Sequence, residues 1–458
     1  MTVQDVVEES IWITGPSSTV DLAPLDTRHP EHYGCRLLVF ECDTPERRNA
    51  QLTALKQGLE GLLQRCPILD GSVLANEDGQ GRHITPGQGL ELSVKDLSAS
   101  IPSFSTLKTT HFPPSSLPAK LLNPAPLDVS GSQPYPTCKV QYTLIDGGIL
   151  LSFAFSHVVT DGAGADEILR VLSLSTRNSY DPAHAPTTTE TIGLDRTLLR
   201  NITSPIAFDI AQHKAYVLDP ATASPAESPH PFRASTPEIP VLIRISKDNL
   251  SLLKADATPD SGFVSSHDAL AALMWRSVFH IRAHRSSSAV ALLPTTEAKF
   301  FMPSDARRHL GLDRAYVGNA VYQLTASLSA ATLLSDAGLR TAAAAIRAAI
   351  TDVKPELVES YMQELKRRWI GWGFMQNYDT TGFGMGSGWT STELYEWDWG
   401  DAFGRVASYR FPGSEGADNY ILPKRLDGSA EVVVSVMPEE VHLLEAEDMF
   451  GKYGQVVR

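Results

Sequence analysis

A histidine followed four residues later by Asp-Gly stands at the end of an apolar segment. Residues 155–162 read FSHVVTDG, and alternation along the preceding strand puts one set of side chains on the same face: Leu151, Phe153, Phe155 and His157. Apolar surroundings disfavour a charged imidazole and leave a neutral nitrogen that accepts a proton near pH 7. The pattern predicts that His157 is a general base, a role that contributes about 10²–10⁴-fold to a rate.

The same motif also fits a purely structural interpretation. His157 is one of thirteen histidines, and a core-packed histidine followed by an Asp161-Gly162 turn needs no catalytic role. No other motif indicates a different catalytic centre. The sequence Gly386-Ser387-Gly388 lacks the GxSxG spacing of a nucleophile elbow. His, Cys, Asp and Glu nowhere show metal-ligand spacing, so no metal site is expected.

The elements that position this motif follow from periodicity and turn residues. Alternating residues 140–144 and the apolar run 149–155 flank Asp146-Gly147-Gly148, which predicts a β-hairpin. A helix is expected at about 164–173. An earlier helix is expected from the cap at Thr44 to the proline that follows Cys66.

The rest of the chain divides at a proline-rich segment. Residues 214–240 contain six prolines, which is a linker composition. Residues 98–136 are rich in Ser and Pro and are expected to be irregular. Beyond the linker we expect a strand at 241–245, a helix at 265–285 with Ser266 as its cap, and helical residues 331–368 broken near Pro355. A short amphipathic helix is expected at 437–450.

Composition excludes several classes of protein. The length of 458 residues suggests two or three domains. A formal net charge of −14 repels phosphate backbones, so no nucleic-acid partner is expected. There is no apolar run long enough to span a membrane and no recognisable signal peptide at residues 1–10. Four cysteines without a CxxC pair fit buried thiols in a reducing compartment. These features predict a soluble, cytoplasmic protein, and we expect it to be a monomer.

Ordered segments over about residues 20–410 carry a family pattern. They are LAPLD at 22–26, PILDG at 67–71, HVVTDG at 157–162, SSHDAL at 265–270, DAR at 305–307, GNA at 318–320 and DWG at 398–400. With these segments the chain resembles the BAHD superfamily of CoA-dependent acyltransferases. The resemblance is strongest to the fungal branch that includes trichothecene O-acetyltransferases.

The resemblance implies an α/β fold with two domains. Each would be a chloramphenicol-acetyltransferase-like domain with mixed sheets, and a crossover loop would join the two, with an active-site channel at their interface. The implied division is an N-terminal domain at 1–213 with HxxxDG, a crossover linker at 214–240, and a C-terminal domain at 241–458 with the DFGWG-like segment. CoA and the acceptor would enter from opposite faces and meet at His157.

The resemblance also implies roles for residues around the base. The motif aspartate, Asp161, would orient the strand end by pairing with Arg307, which is also a candidate for cofactor binding. Asn319, Asp398 and Gly400 would belong to structural motifs. Where the family has DFGWG, this chain reads DWGDAFG from position 398, which leaves its place within the family less defined.

A family segment near the active site is altered here. Trp389-Thr390-Ser391 resembles the family's Thr-Ser-Trp, but the tryptophan expected after Ser391 is a threonine. The donor to the oxyanion is therefore open among Thr390, Ser391 and the Trp389 indole. One such donor is worth about 10²–10³ in rate.

For CoA the resemblance points to the N-terminus of the 265–285 helix. Backbone N–H groups and the helix dipole favour phosphate there, and Ser265 and Ser266 add hydroxyl donors. The alternative is that Ser266 is only a helix cap. Lys299 and Arg308 are further candidate bases for the phosphates.

The function predicted from the sequence is acyl-CoA-dependent O-acyl transfer to a hydroxyl, or an amine, of a small secondary metabolite. Acetyl-CoA is the favoured co-substrate, and no tightly bound cofactor is expected. Transfer would be direct, with His157 taking the acceptor proton. One alternative is a carrier-protein-dependent condensation enzyme, although that class has a second histidine where Ser156 stands here. Another is a non-catalytic homologue that binds a metabolite.

Overall fold

The computed structural model describes most of the chain. The described residues are 8–16, 18–27, 29, 31–77, 81–178, 191–218, 237–285, 293–368, 371–372, 382–388, 392–412 and 419–458. Contacts group the chain into two compact units. The first comprises Met1–Ile202, Gly311–Ala320 and Glu393–Gly413, and the second comprises Thr203–Leu310, Val321–Thr392 and Ser414–Arg458.

Twenty strands are present among the described residues. They are β1 Glu8–Ile13, β2 Val20–Asp21, β3 Tyr33–Glu41, β4 Gly71–Ala75, β5 Arg82–Pro86, β6 Leu90–Asp96, β7 Tyr135–Pro136, β8 Cys138–Ile145, β9 Gly148–Ser156, β10 Tyr216–Val217, β11 Ile239–Ile245, β12 Glu297–Asp305, β13 Val321–Ser329, β14 Gly371–Trp372, β15 Gly382–Gly384, β16 Ser387–Gly388, β17 Ser408–Arg410, β18 Tyr420–Ile421, β19 Ala430–Val436 and β20 Gln455–Val457.

The α-helices of the described ranges alternate with these strands. They are α1 Pro24–Thr27, α2 Pro45–Arg65, α3 Phe104–Thr109, α4 Ala119–Leu122, α5 Gly162–Arg177, α6 Thr197–Asn201, α7 Lys247–Ala257, α8 Ser266–His284, α9 Ala330–Leu334, α10 Gly338–Thr351 and α11 Pro355–Leu365. The predicted α/β class is thus confirmed, with mixed sheets in both units.

A six-stranded sheet forms the centre of the first unit, in the order β1-β6-β8-β9-β3-β17. The predicted hairpin is β8 and β9, which meet at the turn Asp146-Gly147, where Gly147 has a φ of +72°. Strand β9 lies between β8 and β3, and all nine of its residues are buried. Because both faces of β9 are covered, its sequence is apolar or small throughout and shows no polar face.

One face of this sheet is covered by residues that the sequence analysis expected to be irregular. Residues 98–136 contain α3 and α4. Side chains such as Phe104 and Leu122 join Leu37 and Leu150 of the sheet in one buried apolar cluster. Helices of four to six residues give little periodic signal, so packing against the sheet decides their conformation.

Helices α2 and α5 pack together in the same unit. A Cβ at Gly58 of α2 would lie 2.3 Å from the Thr176 hydroxyl of α5, so only glycine permits this approach. The Tyr142 hydroxyl of β8 lies 3.4 Å from Gln51 of α2. In the pairing of β8 with β9, Leu151 stands opposite Tyr142. The predicted start of α2 after Thr44 is confirmed, and α5 runs from Gly162 to Arg177 rather than over 164–173.

The second unit contains a five-stranded sheet in the order β16-β18-β19-β11-β20 and a three-stranded sheet in the order β13-β12-β15. The predicted amphipathic helix at 437–450 is wrong. A 3₁₀ helix spans Pro438–Glu445 and a π-helical turn spans Glu447–Gly451. The extended residue Ala446 separates them, and Met449 has a non-helical conformation.

The grouping by contacts differs from a linear division of the chain. Gly311–Ala320 and Glu393–Gly413 belong to the first unit, although both follow the linker in sequence. Periodicity and linker composition describe only neighbours along the chain, so they cannot reveal such exchanges of segments. Most of the 214–240 linker lies outside the described residues, and the predicted domain boundaries stay predictions.

Candidate active site

His157 lies in the turn that follows β9. Its backbone N–H donates to the carbonyl oxygen of His32 at 2.8 Å. The N–H groups of Val159 and Thr160 donate to the carbonyl oxygen of Ser156, which closes the turn. The sequence analysis placed His157 on a strand face. The structure places it one residue beyond the strand end, where the pleat no longer determines its direction.

The His157 imidazole is packed among other imidazoles. The His29 ring is stacked on it, with centroids 4.3 Å apart and planes 15° from parallel. The His32 ring is tilted at 45°, with its centroid 4.9 Å away. Nδ1 of His157 is buried and has no hydrogen-bond partner among the described residues. The residue as a whole, backbone included, is partly exposed.

These surroundings keep the imidazole uncharged. Burial, with the neighbouring His29 as a second cause, lowers the pKa of His157 from 6.5 to about 3, while Asp161 acts in the opposite direction. Burial also lowers the pKa of His29 to about 3, with His32 as a second cause. Both imidazoles are therefore neutral at pH 7.

Asp161 fixes the far end of the turn. It is the N-cap of α5, and one carboxylate oxygen accepts the backbone N–H of Gly164 at 2.8 Å. The other oxygen accepts the N–H of Ala320 at 2.8 Å. A Cβ at Gly164 would lie 2.5 Å from the carbonyl oxygen of Val317, so glycine is required there. Gly162, which the sequence analysis gave the turning role, is the first helical residue and has no positive φ.

We expect Asp161→Asn to lower the free energy of unfolding by about 1–3 kcal/mol, because the amide nitrogen would face a buried N–H donor. Urea denaturation measures this change. Asp195 is a matched control, since its carboxylate also accepts a backbone N–H but is exposed. Asp195→Asn should stay within about 0.5 kcal/mol of the wild type. Equal stability of the two variants would contradict the role of Asp161.

A buried polar network supports the turn from the other side. Asn319 donates from Nδ2 to the His157 carbonyl oxygen at 2.8 Å and to Asp26 Oδ1 at 3.0 Å. Nε of Arg196 donates to Asp26 Oδ2 at 2.9 Å, and its Nη2 donates to the carbonyl oxygen of Val159 at 2.9 Å. Burial alone would lower the pKa of the Arg196 guanidinium, but Asp26 raises it above its usual value. One carbonyl group of the histidine turn is thus held by the buried Arg196–Asp26 ion pair, and another is held by Asn319, which also bonds to Asp26.

Several of these residues escaped the sequence analysis. Asp26 and Asn319 were noted only as parts of family segments, and His29, His32 and Arg196 were not selected. His29 and His32 had a signal, since two histidines stand three residues apart shortly before the largely apolar segment 35–40. Arg196 had none, because its partner lies 170 positions away.

Asp398 shapes a loop of the first unit. Its side chain is exposed, and Oδ1 accepts the N–H of Gly400, which has a φ of +85°. The loop inserts Trp399 and Phe403 against Phe40 of β3, with ring centroids 5.3 and 5.0 Å from the Phe40 ring. A tryptophan thus anchors the loop in a chain that lacks the family's DFGWG order.

The predicted cap of α8 is corrected by one residue. Ser265, not Ser266, is the N-cap, and it forms a capping box with Asp268. The Ser265 N–H donates to Asp268 Oδ2 at 2.6 Å, and Ser265 Oγ accepts the N–H of Asp268 at 3.2 Å. Two successive serines are both acceptable caps, so residue type alone could not decide between them.

Ser266 borders a basic surface pocket of the second unit. The pocket has a volume of about 460 Å³, and Lys247, Lys254 and Lys424 line it together with Ser266. Lys299, a candidate base from the sequence, lies outside this lining and pairs with Glu297 at 3.4 Å. The pocket's lysines come from α7 and from the loop before β19, which sequence reasoning did not connect.

Other predicted site residues are not brought together by the described contacts. Arg307 is buried in the second unit, and Nη1 donates to Asp305 at 2.9 Å. Asp161 belongs to the first unit, so the Asp161–Arg307 pair stays a prediction. Thr390 and Ser391 lie outside the described residues, and the oxyanion donor stays a prediction too.

The described ranges contain neither a candidate membrane span nor a candidate metal site. None of their helices is long and apolar enough to cross a bilayer. Within the same ranges, no three His, Cys, Asp or Glu side chains are arranged to hold a metal ion.

The chain matches a family model described as "Transferase family" over residues 12–450. It therefore belongs to this family of transferases, the BAHD acyltransferases. The predicted resemblance is confirmed, and the class of enzyme it implies is that of acyltransferases.

Curated relatives include fungal acyltransferases. The chain is 26% identical to the O-acyltransferase pigD of Monascus ruber, over 93% of this chain and 96% of that protein. It is 25% identical to the trichothecene 3-O-acetyltransferase TRI101 of Fusarium sporotrichioides, over 92% and 93%. It is 27% identical over 98% of its length to claC of Penicillium crustosum, named an enoyl-CoA isomerase/hydratase, but it spans only 52% of that protein.

Solved structures confirm the two-domain fold. The crystal structure of F. graminearum TRI101 complexed with coenzyme A and T-2 mycotoxin has a TM-score of 0.82 at 21% identity, covering 96% of this chain and all of that one. Vinorine synthase has a TM-score of 0.65 at 14% identity, covering 98% of each chain.

Proposed function

We propose that the protein transfers an acyl group from acyl-CoA directly to a hydroxyl, or an amine, of a small metabolite, with His157 as general base. The observation that carries the proposal is the uncharged imidazole of His157, a partly exposed residue in a turn fixed by Asp161 and Asn319. A buried network that immobilises both sides of one histidine is what general-base catalysis requires.

The proposed chemistry needs one proton acceptor and no covalent acyl-enzyme. The acceptor oxygen attacks the thioester carbonyl carbon while an imidazole nitrogen of His157 takes the hydroxyl proton. The tetrahedral oxyanion collapses, the C–S bond breaks, and the thiolate of CoA receives that proton from the imidazolium. The products are an ester and free CoA thiol. Thr390 and Ser391 remain the proposed oxyanion donors.

We place the phosphates of CoA at the N-terminus of α8 and in the basic pocket beside it. Three lysines and Ser266 line this pocket in a chain whose net charge is −14, and such local positive charge attracts an anion against the overall field. Ser265 and Ser266 precede or begin a 19-residue helix whose dipole favours negative charge.

Lys254→Gln and Lys424→Gln should each raise the KM for acetyl-CoA about two- to fivefold, the equivalent of ~0.5–1 kcal/mol for an exposed ion pair. The kcat should stay unchanged, and the effect should shrink at high salt. Initial rates with acetyl-CoA and with S-acetylpantetheine, which lacks the nucleotide phosphates, measure it. With S-acetylpantetheine as donor, the variants should have the same KM as the wild type.

Lys299→Gln is the matched control, because Lys299 lies outside the pocket and pairs with Glu297. A KM for acetyl-CoA that rises equally in all three variants would contradict the pocket assignment. Pocket variants whose KM rises equally for acetyl-CoA and for S-acetylpantetheine would also contradict it.

Acetyl-CoA is the proposed donor because several relatives are named O-acetyltransferases, among them dmxR13 and the eremophilane enzyme prx11. The acceptor is proposed to be a hydroxylated secondary metabolite, since TRI101 is solved with T-2 mycotoxin and with deoxynivalenol. The monomeric state and cytoplasmic location inferred from the sequence stay predictions.

The test is thiol release from acetyl-CoA with deoxynivalenol and a panel of fungal sesquiterpenoid alcohols, with product masses read by mass spectrometry. We expect thiol and a product 42 Da heavier to appear together, only when an acceptor is present. Transfer solely from an acylated carrier protein would support the condensation alternative instead. Binding of CoA and acceptor without product would support a non-catalytic homologue.

A further inference from the structure

The segment that precedes β3 meets the histidine turn twice. The His32 carbonyl oxygen accepts the His157 N–H at 2.8 Å, and the His29 ring lies flat on the His157 ring. His29 is buried, and its own N–H donates to the carbonyl oxygen of Asp26 at 3.3 Å. The backbone of His29 is thus bonded to Asp26, the residue whose carboxylate belongs to the network that holds the turn.

A parallel stack has two consequences for a general base. It covers one face of the His157 ring, which excludes water from that face and limits rotation of the imidazole. It also keeps the His157 ring buried, and burial makes the charged form of an imidazole costly.

Some of the charged and titratable groups around His157 lower its pKa and others raise it. His29 and His32 are the neighbouring imidazoles, and Arg36 of β3 is a cation that also disfavours the imidazolium. Asp161 favours the imidazolium, but its two oxygens accept backbone N–H groups of Gly164 and Ala320. Of the two neighbouring imidazoles, the stacked His29 ring has its centroid closer to that of His157.

We propose that His29 is a positioning residue that holds the His157 imidazole in its reactive orientation and keeps it dry. The inference rests on the proposed function. The flat ring carries the effect, so an aromatic residue without a titratable nitrogen should replace it.

The experiment compares His29→Phe with His29→Leu, which fills similar space without a flat ring, and with His29→Ala. Each is assayed for kcat, for the KM of acetyl-CoA, and for the pH profile of kcat/KM from pH 5 to 8. Thermal unfolding checks that each variant is folded, and His29→Leu replaces His29→Ala if the alanine variant is not.

We expect His29→Phe to keep kcat within about threefold of the wild type. Its kcat/KM should not fall as the pH is lowered towards 5. His29→Leu and His29→Ala should lower kcat by about 10–100-fold, the usual effect of misplacing a reacting group. Their KM for acetyl-CoA should not change. In His29→Ala, admitted water should raise the pKa of His157 towards 6.5, so an acid limb should appear near pH 6.

Wild-type kcat and an unchanged pH profile in folded His29→Ala or His29→Leu would overturn the inference. Equal losses in His29→Phe and His29→Ala would also overturn it, because the imidazole itself would then be needed. An active wild type with unaffected His29 variants leaves the proposed function intact. A wild type that transfers no acyl group to any acceptor refutes the proposed function instead.

Discussion

His157→Ala is expected to lower the rate of acyl transfer by about 10²–10⁴-fold, the contribution of a positioned general base. The neutral His157 ring is the group in the described turn that can take the acceptor proton, because Asp161 is fully engaged with two backbone N–H groups. Without the ring, proton removal is left to water, while the sites for CoA and acceptor keep their shape. The loss should therefore fall on kcat, and the KM for acetyl-CoA should change little.

His284→Ala serves as the matched control, because His284 is exposed near the end of α8 in the second unit. It should retain wild-type kcat. Thiol release from acetyl-CoA in the presence of a reactive acceptor measures both variants, and calorimetric binding of CoA verifies that the mutant still takes up the donor. A folded His157→Ala variant with wild-type turnover would refute the assignment of the base.

Arg196→Ala is expected to lower the free energy of unfolding by about 3–5 kcal/mol, the usual cost of leaving one partner of a buried ion pair alone. Arg196 and Asp26 have side chains 2% and 0% exposed. Removing the guanidinium would leave the Asp26 carboxylate buried beside Asn319 and the Val159 carbonyl without its donor. Urea denaturation followed by circular dichroism measures the change.

The ion pair between Arg200 and Asp21 is the matched control. It lies in the same unit with an N–O distance of 3.1 Å, but its side chains are 48% and 56% exposed. Arg200→Ala should cost no more than about 1 kcal/mol. The double variant Asp26→Leu/Arg196→Met should be more stable than either single variant, since it removes both buried charges. Equal losses in Arg196→Ala and Arg200→Ala would contradict the role of burial.

The elements that carry His157 were predictable because their signals are local. The β8–β9 hairpin has Asp-Gly between two apolar runs, and α2 begins at a threonine cap followed by proline. Both signals act within a few residues, where backbone preferences dominate. His157 itself was identified from its position after an apolar strand, together with the family motif.

The surroundings of His157 could not be predicted in the same way. His29 reaches the ring from 128 positions earlier, and Arg196 reaches Asp26 across 170 positions. Such contacts depend on how β3, β9 and the 311–320 segment pack, which periodicity does not encode. The helices in residues 98–136 were missed for the same reason, since the sheet surface rather than their own sequence stabilises them.

The charge state of His157 is the most direct test of this account. Protein labelled at histidine Cε1 can be titrated by NMR from pH 8 to pH 5, with the His157 signal identified by its loss in His157→Gln. We expect that signal to show no protonation step in this range, because burial holds the pKa near 3. A titration with its midpoint near 6.5 would show a hydrated, ordinary imidazole and would contradict the account.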